Sequence, residues 1–123
     1  MYRQALLDAT ATDAVHTRCF DGGWPDAPHR ALRNSTLAGW EAAGCPPAPH
    51  RPGEGDILVT DARGRSHRRY SDAPPVRGMT GDPAALALYA GQSAGLVTDQ
   101  APAAQIVTEV TSEASRVLAA LAG

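Results

Sequence analysis

Lysine is absent from this chain of 123 residues, and all eleven of its basic side chains are arginine. Thirteen acidic residues leave a formal charge of −2, too small a field to steer nucleic acid or an anionic membrane surface to the chain. Together with the abundance of Ala and Pro, the exclusive use of Arg reflects GC-rich coding rather than a binding task. Large aromatic anchors are also scarce, with one Phe, two Trp and three Tyr. Much of the 43% apolar content is Ala, whose single methyl group favours helix but contributes little transfer free energy. The length suits one small domain, able to bury about two-thirds of its unfolded surface. Its core is expected to be thin, with further packing supplied from elsewhere.

Cysteine is nearly absent too. Cys19 and Cys45 form neither a CxxC pair nor a Cys/His ligand spacing, so free thiols in a reducing cytosol are expected, though the sequence also permits a disulfide. His16, His29, His50 and His67 are dispersed, with no HxxxH or HxH pairing, and read as exposed or capping side chains. No GxSxG surrounds a serine, no Walker loop is present, and no GxGxxG follows a strand. Neither catalytic nor metal-ligating residues are therefore assigned. No apolar run is long enough to span a bilayer, and Met1-Tyr2-Arg3-Gln4 leads directly into an amphipathic stretch rather than a signal peptide. A soluble, cytoplasmic protein is expected.

The pattern along the chain predicts an α+β fold. Tyr2, Leu6 and Ala9 follow helical spacing with no capping residue before them. Asp13–Phe20 alternates as a strand and is closed by the turn residues Asp21-Gly22-Gly23. A helix is expected over His29–Gly44, with Leu32, Leu37, Trp40 and Ala43 facing inward and Gly44 as its stop. Four prolines between positions 46 and 53 exclude regular structure there. The clearest local signal is a hairpin, Asp56–Thr60 turning through Asp61–Gly64 into Arg65–Tyr70. Its cluster Arg63, Arg65, Arg68 and Arg69 fits either a charged edge that discourages strand pairing or an anion or RNA patch. After a loop over Ser71–Gly81, two helices are predicted. The first is capped by Asp82-Pro83, with Leu86, Tyr89, Ala90, Ser93 and Val97 on one face. The second begins near Pro102 and carries a buried stripe of Ile106, Val110, Ala114, Val117 and Leu121.

Tyr89-Ala-Gly91-Gln92-Ser93-Ala-Gly95-Leu-Val97 stands apart from this pattern. A glycine inside a helix costs about 1 kcal/mol relative to Ala, so two of them call for a reason. One reason is close packing of another backbone. The other is a ligand, or the domain that holds one, with Tyr89, Gln92 and Ser93 supplying hydrogen bonds beside Gly91.

The same segment, followed by Pro102-Ala-Ala-Gln-Ile-Val107 and a long last helix, resembles the ending of the nitronate monooxygenases, also called 2-nitropropane dioxygenases. Tyr2-Arg-Gln-Ala-Leu-Leu7, Thr17-Arg18 with Phe20, Arg30-Ala-Leu-Arg-Asn34, Tyr70 with Pro74-Pro75, and Thr80-Gly81-Asp82 are similar to that family in the same order. The resemblance spans the chain from end to end, and its weight lies in order and spacing rather than in any one motif. It implies a fragment of a (β/α)8 barrel enzyme that binds FMN and oxidises alkyl nitronates with O2. Residues 1–81 would form part of the smaller α/β domain, and residues 82–123 would be terminal helices returning to the barrel. The family's catalytic His and its glycine-rich FMN-phosphate segment precede the matched region, so FMN is expected in the full-length enzyme and not on this chain alone. Tyr89, Gly91, Gln92 and Ser93 are the positions carried over as cofactor- or substrate-side. The partners so implied are alkyl nitronate and O2, with no nucleic acid and no membrane. A separate barrel-half chain or a homodimer are alternatives, the chain then being half of a split oxidoreductase or a non-catalytic dimerising module.

Overall fold

In the computed structural model, which describes residues 1–122, backbone pairing starts where Ala14–Thr17 (β1) turns Ala14 and Thr17 inward. Before it lies helix α1, Tyr2–Asp8, which has no side-chain cap and buries none of its residues. The Tyr2 hydroxyl pins this helix to the fold by donating to the carbonyl of Tyr89. β1 pairs antiparallel with β2, His29–Leu32, so that Ala14 faces Leu32 and Thr17 faces His29.

The helix expected over His29–Gly44 is therefore confined to α2, Ser35–Ala42. Its start is set by Asn34, whose side-chain oxygen accepts from the Leu37 N–H at 3.1 Å. Residues 29–32 instead place their backbone groups between two extended neighbours. Beyond β1, the Leu32 N–H donates to the Leu88 carbonyl at 2.8 Å and the Ala90 N–H to the Arg30 carbonyl at 3.1 Å. Gly44, at φ +81°, stops α2 as expected.

The predicted hairpin forms with β3 at Ile57–Thr60 and β4 at Ser66–Arg68. A short β5, Thr80–Gly81, adds to the other side of β3, giving the order β4-β3-β5 with β4 at an edge. The helix predicted after Asp82-Pro83 does not form. Asp82 makes no side-chain cap, and the segment holds two short 3₁₀ turns, Pro83–Ala85 and Gln92–Leu96, around an extended stretch. Side chains of α2 capture its carbonyls: Asn34 donates to those of Ala84 and Leu86, and the buried Thr36 hydroxyl donates to that of Ala85 at 2.8 Å. Those bonds, with the pairing to β2, replace the helical ladder.

Two small apolar clusters result. One gathers Cys19, Phe20, Ala31, Leu37, Tyr70 and Ala87, flanked by Val15, Trp40 and Tyr89. The other packs Leu58, Val59, Ala85 and Leu86 against Met79. The last helix, α3 at Ala103–Leu121, takes no part in either. Its stripe was expected to be buried, yet every residue from Pro102 to Ala122 is exposed, including Val110 at 62% and Leu121 at 80%. The whole is a small α+β domain with a hairpin sheet and a terminal helix.

Candidate functional site

Tyr89, Gly91, Gln92 and Ser93 lie where the extended stretch leaves β2 and enters the second 3₁₀ turn. Tyr89 bridges Ala31 across the sheet, and its phenol donates to the Asp72 carbonyl at 2.8 Å. Its ring meets the His29 ring edge-on, with centroids 5.5 Å apart. Burial raises the phenol's pKa, with the Asp72 charge adding to it. Tyr89 is thus held by structural bonds at both its hydroxyl and its carbonyl. Gly91 precedes the turn in extended conformation, and Gln92 and Ser93 stand exposed, with no side-chain hydrogen bond among the described residues. The second glycine of the segment has a packing role. A Cβ on Gly95 would lie 2.7 Å from the Ala11 backbone nitrogen, so close approach to the turn after α1 demands glycine there.

A different residue, not singled out by sequence, organises the polar interior. The Arg51 side chain is 6% exposed. It forms a two-pronged pair with Glu54, an ion pair with Asp21, and a stack on the Tyr70 ring 4.2 Å from its centroid. Hydrogen bonding to Glu54 first, then to Asp21, raises the guanidinium's pKa against the opposing effect of burial. The Tyr70 hydroxyl completes the knot by donating to the Pro52 carbonyl at 2.7 Å. The proline-rich loop is thereby fastened to the end of β1. An Arg flanked by prolines with a Glu three residues on is the one sequence trace of this arrangement.

The groove beside this knot, about 330 Å³, is lined by Arg51, Glu54, His67, Arg68, Arg69 and Ser71. Its cations are already engaged. Arg68 donates to the Gly55 carbonyl, and Arg69 reaches the Thr36 hydroxyl and Asp56. Arg51 is paired with Asp21 and Glu54 and Arg69 with Asp56, while Arg68 meets only a backbone carbonyl. A larger cleft of about 580 Å³ runs between Tyr2, Arg3, Val76, Arg77 and Pro83. Arg3 and Arg77 make no ion pair or side-chain hydrogen bond among the described residues, over walls that are mainly apolar.

The histidines divide. His16 and His50 are exposed, and His67 sits 3.3 Å from Asp61. His29 is half-buried, its Nδ1 3.0 Å from the Ala27 carbonyl and its Nε2 buried with no partner. None lies against a serine or cysteine as a base would. Among the described residues no group of three His, Cys, Asp or Glu side chains is placed to hold a metal. Cys19 is fully buried and its thiol is pushed up to about 12, chiefly by burial, which the nearby Arg51 charge only partly offsets. Cys19 and Cys45 are both free. No described helix is long and apolar enough to cross a membrane.

The groove beside Arg51 and the turn at 91–95 do not fit an FMN phosphate. Arg51 and Arg69 are held by carboxylates, and the glycines at 91 and 95 precede and close a 3₁₀ turn rather than opening a helix toward a phosphate. The chain matches no family model, and comparison with curated proteins and with solved structures found no similar one.

Proposed function

We propose that this chain is the carboxy-terminal portion of an FMN-dependent nitronate monooxygenase, a cytoplasmic enzyme that oxidises alkyl nitronates with O2, and that this portion is inactive alone. The observation that carries the reading is how the resembling segments meet. Tyr2, Arg30, Ala31 and Tyr89 come from stretches far apart in sequence. Tyr2 bonds Tyr89, Tyr89 bridges Ala31, and the Ala90 N–H donates to the Arg30 carbonyl. A series of matches that agrees in order, and whose members hold one another in place, supports one shared scaffold rather than chance likeness. The scaffold leaves Gln92 and Ser93 exposed with unbonded side chains, available to a body across from them.

In the assembled enzyme FMN would be held by the barrel and would supply the redox chemistry. The small domain covers the mouth and keeps water from the pocket. Tyr89 acts there through position, holding the backbone before Gly91, while Gln92 and Ser93 offer polar contacts.

Two measurements test the proposal. Titrating the purified chain with FMN should leave the flavin spectrum unchanged, and a saturable shift at micromolar flavin would sink the fragment reading. Co-expression with the barrel half of a nitronate monooxygenase should give a yellow complex that consumes O2 when an alkyl nitronate is added.

A further inference from the structure

The uncovered face of α3 has an internal symmetry. Ala103, Val107, Val110, Ala114, Val117 and Leu121 recur at alternating steps of four and three, the seam of a two-stranded coiled coil. Ile106 and Leu118 flank it, one on each side. Read in reverse about Ser112, this set of apolar positions maps onto itself. Antiparallel pairing would place Ala103 opposite Leu121, Val107 opposite Val117 and Val110 opposite Ala114, with Ile106 and Leu118 each bordering its own flank. In two of these three layers a small residue meets a larger one, whereas parallel pairing would stack Ala114 on Ala114 and leave a gap.

We propose that α3 is a self-pairing helix, and that two copies of this chain associate antiparallel through it. The inference does not rest on the flavin reading. In an assembled enzyme a barrel would compete for the same face, so the two occupants exclude each other.

Three observations favour a second copy. First, α3 cannot be stable by itself. It touches neither apolar cluster, and Ile106, Val107, Thr108, Val110, Thr111 and Val117 are β-branched residues that disfavour an isolated helix. Second, the area is sufficient. A helix of 19 residues is about 28 Å long, and two half-girdles of that length remove about 1,000 Å² from water, where specific interfaces begin. Third, the charges do not forbid pairing. Glu113 is the one acidic residue beside the seam near the two-fold axis, and Arg116 of its own helix lies 3.5 Å from it. Glu109 is on the outer side.

Sedimentation equilibrium of the full chain should give twice its 12.8 kDa mass at micromolar concentration. Val110→Glu places an unpaired carboxylate in the seam, and association should weaken at least about tenfold. The near-UV signal of Trp40, which lies in the small domain, should stay unchanged. Ser112→Glu, on the outer face, should leave the dimer intact. Orientation is read by cross-linking in a Cys45→Ser background. Ala103→Cys chains mixed with Leu121→Cys chains should form a disulfide, and Leu121→Cys chains alone should not. A monomer with an intact near-UV signal, a dimer unmoved by Val110→Glu, a larger assembly, or Leu121→Cys chains linked to one another would each overturn the proposal.

Discussion

Arg51 shows how one residue joins parts that local sequence signals leave separate. Its guanidinium faces Asp21 and Glu54 and lies over Tyr70, so the loop with four prolines is held by charge and stacking rather than by backbone pairing. Arg51→Met should cost about 2–3 kcal/mol in urea unfolding, because two half-buried carboxylates lose their partner, whereas Arg63→Ala, on the exposed hairpin, should stay within about 0.5 kcal/mol. The two thiols should differ sharply. Native protein should take up one alkylating label at mildly alkaline pH, at Cys45, and a second only in denaturant, since Cys19 is buried and its thiol stands near 12. A thiol whose folded pKa is raised stabilises the fold below its unfolded value, near 9, and this contribution is lost as pH rises from there toward 12. Asp61 works in the opposite direction. The Arg65 backbone N–H, followed by its guanidinium and the Arg63 N–H, holds the carboxyl well below the usual range. Its support for the hairpin turn is present above about pH 4 and fades as pH falls below it, which amide exchange in residues 61–66 would report.

Elements whose signals are local were legible in the sequence. The hairpin follows from alternation and an Asp-to-Gly turn, and the stop of α2 from Gly44, because both depend on nearest neighbours. The segments 29–32 and 82–97 were misassigned as helix because their conformation is decided far away in the chain. Apolar residues at 32, 37, 40 and 43 suit a helix well enough, but Asn34 caps at Leu37 and residues 29–32 join β1 and Leu88. The carbonyls of residues 84–86 belong to Asn34 and Thr36, some fifty positions earlier, and no local pattern encodes that. Of the candidate site, Gln92 and Ser93 were readable as hydrogen-bonding groups, but not their exposure, since Ser93 was set on a face of a helix that does not form. The knot around Arg51 was not readable, since its partners converge only after folding. Glycine substitutions separate the two kinds of position. Gly95→Ala should destabilise by about 1–3 kcal/mol, as its methyl would strike the Ala11 backbone. Gly39→Ala, inside α2 with open space around the added methyl, should stabilise by about 0.5–1 kcal/mol. Thermal unfolding monitored by circular dichroism compares both.

On the scale of the whole molecule, the scarcity of large apolar residues reappears as two small clusters and a terminal helix outside both. The flavin reading and the self-pairing helix cover that exposed helix differently. The flavin reading turns on whether a barrel accompanies this domain. The most direct test is to read the coding DNA upstream of the Met1 codon in the same frame. A continuous open frame encoding a glycine-rich phosphate loop and a barrel-side histidine is the predicted result. An in-frame stop immediately before Met1, with no barrel half encoded beside it, would contradict it.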